Sequence, residues 1–240
     1  MDSPSQTQHP MLLRLKRGLI ISSQATHGEP LNRPELLCAL AESALQGGAC
    51  GLRMAQADNL CYFRERHPDI PLIGITKPEI IPANATELVY ITPTLADIES
   101  IAPHCDIIAM DATARPRPNG ETLASIIGET RRRFPGKLVM ADISTLAEGM
   151  HAERLGFDLI GTTLSGYTSE TKASKTHQPD FELLTALTQT LKTPVILEGR
   201  VWEPKDIRQA FEKGAHAVVV GSAVTRPHEI TRRFVQAIPV

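Results

Sequence analysis

Short runs of Val, Ile and Leu recur along the chain and alternate with longer stretches of helical spacing. They are GLIIS at 18–22, CGLR at 50–53, PLIGI at 71–75, LVYI at 88–91, DIIAM at 106–110, KLVMA at 137–141, DLIGT at 158–162, PVILE at 194–198 and AVVVG at 217–221. Continuous apolar runs of this length suit strands covered on both faces, which occur in parallel sheets with crossover helices. Only residues 76–87 separate the third run from the fourth, and Pro78 and Pro82 fall among them. No crossover helix fits there, and parallel strands need one. LVYI therefore reads as an excursion within a long loop, which leaves eight strand–helix units.

Three junctions repeat one formula: GGACGLR at 47–53, RLGFDLIGT at 154–162 and KGAHAVVVG at 213–221. In each, a glycine can stop a helix in the left-handed conformation, and a buried strand starts a few residues later. The spacing of Gly48, Gly156 and Gly214 is close to a whole number of strand–helix units, which favours a closed (β/α)8 TIM barrel over an open, doubly wound sheet. A single barrel domain is expected over 18–240, preceded by an N-terminal segment, 1–17, of polar tail and short helix. Between the strands, RPELLCALAESALQGG shows an Arg-Pro start and a double-glycine stop. In ETLASIIGETRRRFPGK the Arg131–Arg133 run falls at a helix C-terminus, where solvated cations favour the dipole. The polar, proline-terminated stretch SETKASKTHQP (169–179) reads as a mobile flap or as plain surface slack.

Composition narrows the class. The chain has 240 residues, a size typical of one α/β barrel, and only 4% of them are aromatic, so its core must come from aliphatic side chains. A net charge of −2 with both signs interspersed leaves no footprint for nucleic acid or a membrane surface. Cys38, Cys50, Cys61 and Cys105 form no C-x-x-C pair and suit a reducing compartment. The start of the chain lacks an apolar run long enough for a signal peptide or a span, so a cytoplasmic protein is expected. A homodimer is compatible with the sequence, which leaves the oligomeric state open.

Candidate chemistry follows from the barrel expectation, because reacting groups sit at the C-terminal ends of strands. The eight tips offer Gln24, Arg53, Lys77, Asp111, Asp142, Thr162 with Thr163, Glu198 with Arg200, and Gly221 with Ser222. Buried charges need partners or cost several kcal/mol, so polar tips converging on one face point to a site. The last two tips, EGR and GSAVTRP, supply the amides of Gly199 and Gly221, the Ser222 hydroxyl and the guanidiniums of Arg200 and Arg226. That set suits phosphate: glycine lets the backbone approach, and arginine can clamp bidentately.

In order and spacing, SSQA, GLR, IGITK, YITPTL, MDATARPRP, ADIST, IGTTLSGYT, EGR and GSAVTRP resemble the N-acylglucosamine-6-phosphate 2-epimerase family, also called the N-acetylmannosamine-6-phosphate 2-epimerases. The resemblance covers about residues 18–235. It implies a TIM barrel that interconverts N-acetylmannosamine 6-phosphate and N-acetylglucosamine 6-phosphate in bacterial sialic-acid breakdown, with no metal or organic cofactor. It implies Lys77 as the acid/base residue and Glu198 as its carboxylate partner. Gln24, Arg53 and Asp142 would hold the sugar, and Arg226 with the glycine-rich turns would hold the phosphate. Two departures stand out: Ser22-Ser23 replaces the family's usual Ser-Cys, and Lys77-Pro78-Glu79 replaces a frequent Lys-Arg-Asp.

Epimerisation at C2 of an open-chain amino sugar removes the hydrogen next to the C1 aldehyde and returns it to the other face. An ordinary lysine is mostly protonated at neutral pH and is a poor base. Burial and Arg53 would lower the Lys77 pKa while Glu198 would raise it, and the sequence does not decide between them. Arg53 is also a candidate for stabilising an enolate oxygen. Only one lysine stands at the strand tips, which favours return of the proton by Lys77 alone with a substrate hydroxyl as relay over a variant with Lys77 and Glu198 as two bases on opposite faces. A Schiff-base lyase on Lys77 and a catalytically silent sugar-phosphate binder are the rival readings. No histidine pair falls at metal-ligand spacing.

Overall fold

The computed structural model describes residues 9–239, so the polar tail at 1–8 lies outside the described residues. Eight parallel strands, β1 (Gly18–Ser23), β2 (Gly51–Ala55), β3 (Leu72–Ile75), β4 (Ile107–Asp111), β5 (Leu138–Asp142), β6 (Leu159–Gly161), β7 (Val195–Glu198) and β8 (Ala217–Val220), follow one another around a closed barrel. Closure is direct: β1 pairs with β8 through Gly18↔Ala217 to Ile21↔Val220. The single-domain (β/α)8 barrel is thus the fold, and every expected strand is present. LVYI forms none; Val89 and Ile91 are buried within the loop that follows β3.

The helices are α1 (Pro10–Leu15), α2 (Pro34–Gln46), α3 (Ala57–Arg66), α4 (Leu95–Ile101), α5 (Leu123–Arg133), α6 (Leu146–Arg154), α7 (Phe181–Thr190), α8 (Pro204–Glu212), α9 (Ser222–Thr225) and α10 (Pro227–Val235). Their starts are chemically marked. Thr94, Thr122 and Thr145 each cap a helix with the hydroxyl accepting a backbone N–H three residues on. The three repeated junction glycines adopt the left-handed conformation, with φ of +98° at Gly48, +84° at Gly156 and +90° at Gly214. The arginines ending α5 are absorbed locally: Arg131 donates to Asp158 at 2.7 Å, and Arg133 pairs with Glu129 at 2.9 Å.

Strand alternation splits the core in two. Ile21, Leu52, Ile108, Val139, Ile160 and Leu197 pack outward against α2 to α7. Ile20, Ile73, Ile75, Ile107, Met140 and Ile196 pack inside the barrel, together with Leu12 and Leu15 of α1. Helix α1 closes the N-terminal mouth, where the Arg17 backbone N–H donates to His216 O at 2.6 Å and the His216 ring meets Leu12 O at 2.8 Å. Among the described residues, no helix is long and apolar enough to cross a membrane.

Candidate active site

The same alternation that sends Ile20 and Ile73 inward carries Ser22, Arg53, Asp142, Gly161, Glu198 and Gly221 onto the inner face at the C-terminal mouth. Arg53 is not at a strand tip, as the run CGLR suggested. Strand β2 continues to Ala55, so the guanidinium lies in the barrel interior at 1% exposure. An unpaired arginine there would cost far more than the fold can spare. It is paired twice: Nη1 and Nη2 donate to Asp142 Oδ1 and Oδ2 at 3.0 and 2.6 Å, and Nη1 lies 3.1 Å from Glu198 Oε2. Desolvation opposes its charge most, yet the two carboxylates hold Arg53 firmly in the charged form.

Close packing sets this cluster. A Cβ on Gly161 would meet Met140 Cε at 2.4 Å and Thr163 Oγ1 at 3.0 Å, so a side chain there would push on the residues that border Asp142. The next two residues fasten Glu198. The Thr162 hydroxyl accepts the Glu198 backbone N–H at 3.0 Å and donates to the Glu198 carbonyl at 2.9 Å. The Thr163 hydroxyl lies 2.8 Å from Asp142 Oδ1 and 3.1 Å from Glu198 Oε2. Burial, above all, pushes the Glu198 carboxyl above the usual carboxylate range, against the pull of Arg53.

Above this floor opens a cavity of about 710 Å³. Gln24, Lys77, Glu198, Gly199, Arg200, Gly221, Ser222 and Arg226 all line it, whereas Arg53 and Asp142 form the layer beneath. Lys77 Nζ donates to Gln24 Oε1 at 2.8 Å, and Gln24 Nε2 donates to Ser22 Oγ at 2.6 Å. Burial first, and then the Arg53 charge, lower the Lys77 pKa to about 8, outweighing Glu198 and Asp142. An amine at that value is part neutral near pH 7 and can accept a proton.

Neither sequence departure disturbs the site. The Lys77 carbonyl accepts Gln56 Nε2 at 2.6 Å, while Thr76 is held through its N–H by Thr92 Oγ1 at 3.0 Å and through its hydroxyl by Asp97 Oδ1 at 2.8 Å. Pro78, which lacks an N–H, therefore follows a residue already fixed from two sides. Ser23 is fully buried, and its hydroxyl donates to Leu37 O at 2.9 Å.

Other tips serve the scaffold. Asp111 stays out of the cavity: its carboxylate takes the Thr113 N–H at 3.0 Å and the Thr113 hydroxyl at 2.7 Å, and it pairs with Arg115. Arg115 in turn donates to Ala85 O at 2.5 Å, tying down the long loop after β3. Arg200 spends Nε on Gln178 O at 2.8 Å and Nη1 on Ser165 O at 2.6 Å, which anchors the 169–179 stretch to the cavity rim. Arg226 pairs with Glu29, and its Nε is buried with no hydrogen-bond partner among the described residues. Residues that the sequence reading passed over also line the cavity, among them Gln56, Tyr90, Tyr167 and Trp202. Tyr90 and Tyr167 sit within the quoted YITPTL and IGTTLSGYT motifs, which was the available signal; Gln56 and Trp202 carried none. Away from the cavity, Cys38, Glu42 and His67 gather between α2 and α3, where Glu42 Oε1 lies 2.9 Å from His67 Nε2 and 3.5 Å from Cys38 Sγ.

Comparison with known proteins places this geometry. Residues 37–240 match the model of a family described as "Putative N-acetylmannosamine-6-phosphate epimerase". A protein of Caldanaerobacter subterraneus subsp. tengcongensis described as "Putative N-acetylmannosamine-6-phosphate 2-epimerase" is 43% identical over 96% of this chain and 95% of its own. One from Enterobacter sp. with the same description is 44% identical over 93% of this chain and 94% of its own. The solved structure of the N-acetylmannosamine-6-phosphate 2-epimerase from Clostridium perfringens superposes with a TM-score of 0.88 at 41% identity, covering 99% of this chain and 100% of that one.

Proposed function

The chain belongs to the N-acetylmannosamine-6-phosphate 2-epimerase family, and from that premise we infer what its site does. It is an epimerase that interconverts N-acetylmannosamine 6-phosphate and N-acetylglucosamine 6-phosphate, in sialic-acid breakdown. The observation that carries the mechanism is the Lys77 amine, drawn down to about 8 and facing a cavity floored by Arg53, Asp142 and Glu198.

In the reading we propose, the phosphate lies against Gly199, Gly221, Ser222 and Arg226, with Arg226 Nε as a buried donor that has no protein partner among the described residues. Arg200 contributes through Nη2, since Nε and Nη1 each hold a loop carbonyl. Gln24 orients the amine of Lys77 and borders the sugar. Neutral Lys77 takes the hydrogen from C2, and the C–H electrons pass to the C1 carbonyl oxygen to give an enolate. The new ammonium, or an acid on the opposite face, then returns a proton to C2. Both terminal nitrogens of Arg53 are committed to carboxylates, so its part is to fix Asp142 and Glu198 and to hold the Lys77 pKa down rather than to grip the enolate.

A coupled assay for N-acetylglucosamine 6-phosphate formed from its mannosamine epimer tests the activity. In Glu198→Gln, hydrogen exchange at C2 with solvent separates the two proton-return schemes: retained exchange with lost epimerisation means two bases, and loss of neither leaves the lysine acting alone. Borohydride treatment is expected to trap no substrate on Lys77. All four thiols are free, which suits a cytoplasmic location. A homodimer is the assembly we propose, supported by the apolar side chains that α10 leaves exposed, Phe234 at 74% and Val235 at 57%; sedimentation of the purified chain tests it.

A further inference from the structure

The floor of the cavity poses a hydrogen-counting problem. Asp142 Oδ1 and Glu198 Oε2 are bridged twice, once by Arg53 Nη1 and once by the Thr163 hydroxyl. The guanidinium nitrogen carries two hydrogens and can serve both oxygens. A hydroxyl carries one. With both carboxyl groups ionised, one of the two Thr163 contacts would set oxygen against oxygen with nothing between them. The shorter contact, 2.8 Å against 3.1 Å, goes to Asp142, which also takes both arginine nitrogens and is the better-compensated anion. The Thr163 hydrogen therefore points at Asp142, and its lone pair faces Glu198. A proton on Glu198 completes the chain: Glu198 donates to Thr163, and Thr163 donates to Asp142.

We propose that Thr163 is a positioning residue for the epimerisation, whose hydroxyl accepts a hydrogen bond from protonated Glu198 while donating to Asp142, so that one proton is held between the two carboxyl groups. The inference rests on the epimerase reading of the site and deepens it by assigning Glu198 the part of a proton-bearing acid. Its surroundings are built for that part. Thr162 locks the Glu198 backbone from both sides, so only the carboxyl is left to orient, and Thr163 from the adjacent position in the chain orients it. Desolvation acts in the same direction, favouring the neutral acid.

Two readouts test this on the intact protein. The first is the titration of the Glu198 carboxyl by 13C NMR in glutamate-labelled protein, with Glu198→Gln identifying the resonance. The proposal expects a midpoint above the ordinary glutamate value of about 4.3. It also expects the midpoint to fall in Thr163→Val, which removes the acceptor, and to return in Thr163→Ser. A midpoint that rises or stays in Thr163→Val means the hydroxyl donates to Glu198 or does not touch its proton, and overturns the inference. The second readout is kinetic: Thr163→Val is expected to lose tenfold or more in kcat with KM within threefold, and Thr163→Ser to stay within threefold in both. Equal losses in the two variants overturn it as well. If Thr163→Val does not fold, the wild-type midpoint decides, and an ordinary value sinks the proposal. Wild-type turnover is measured alongside. Its absence would refute the epimerase reading, while the titration would still decide the role of Thr163.

Discussion

At its N-terminal mouth the barrel is shut by α1, whose Leu12 and Leu15 join the buried inner cluster that holds Ile20, Ile73, Ile107 and Leu159. Toward its C-terminal mouth the same inward-facing rows carry Arg53, Asp142, Glu198 and, two residues past β3, Lys77. The two mouths share their strands and their parity, and they differ only in what stands at the inward positions. At the closed end every inward group is apolar or, like His216, satisfied by backbone. At the open end charged groups are stacked so tightly that Arg53, Lys77 and Glu198 all depart from their ordinary proton affinities. Stability and chemistry are thus assigned to opposite ends of one scaffold, and substitutions should separate them.

The sharpest separation is expected at Lys77. Lys77→Met should cut kcat by about 100- to 10,000-fold, the range of a lost general base. It should also raise the melting temperature at pH 7, because the native state holds this amine at about 8 against 10.5 in the unfolded chain. The unfolded state binds the extra proton between those values, so that penalty falls away as pH rises from 8 toward 10.5, and the variant's thermal advantage should shrink over the same window. A variant that loses activity and stability together would mean that Lys77 is scaffold.

Next in size are single substitutions at the two ends. Asp142→Ala takes the bidentate partner from the buried Arg53 guanidinium and should cost about 3–5 kcal/mol by chemical denaturation, with activity lost as well. Leu15→Ala, in the plug at the other mouth, should cost about 2–5 kcal/mol yet leave kcat unchanged. If Leu15→Ala alters kcat, the ends are mechanically coupled and the division of labour fails.

That division also explains which parts of the molecule could be read from the amino-acid sequence. Apolar runs and helix-stopping glycines are local signals repeated nine and three times, and the short, proline-bearing gap before LVYI set that run apart, so the barrel and the excursion were both legible. The polar tips were legible as a set because parity and strand ends are sequence properties. What each tip does was not, since it depends on neighbours far along the chain. Arg53 reads as a tip residue until β2 proves two residues longer. Asp111 has the same parity and the same position as Asp142, yet Thr113 and Arg115 draw it into holding a loop. Arg200 and Arg226 look alike beside glycines, and the structure gives one to the 169–179 stretch and the other to Glu29. The direction of the Lys77 shift needed burial and charge together, and neither is visible in IGITK.

A smaller effect sharpens the comparison through pH. Because Lys77 must be neutral to take the C2 hydrogen, the rate should rise with pH up to about 8 and fall roughly tenfold per unit below it. Asp142→Asn removes one carboxylate that favours the ammonium, so if the fold persists its ascending limb should lie at lower pH than that of the wild type. Leu15→Ala, acting only at the closed mouth, should leave the limb in place.

The smallest expected effect concerns the rim. Glu29 Oε1 pairs with Arg226, accepts the Thr26 hydroxyl at 2.9 Å and lies 3.8 Å from His228 Nε2. A carboxylate on the guanidinium proposed to clamp phosphate competes with that phosphate for the same donors. Glu29→Gln keeps the Thr26 contact and removes the charge, so KM for the phosphorylated sugar should fall about two- to fivefold, the size of a half-exposed ion pair. kcat should stay put, because the rim lies apart from Lys77 and Glu198. The gain should fade as salt rises, since added ions screen the half-exposed Glu29–Arg226 pair that is being relieved. An unchanged KM would place the phosphate elsewhere on the mouth, while a raised KM would make Glu29 a holder of Arg226 in its working pose rather than its competitor.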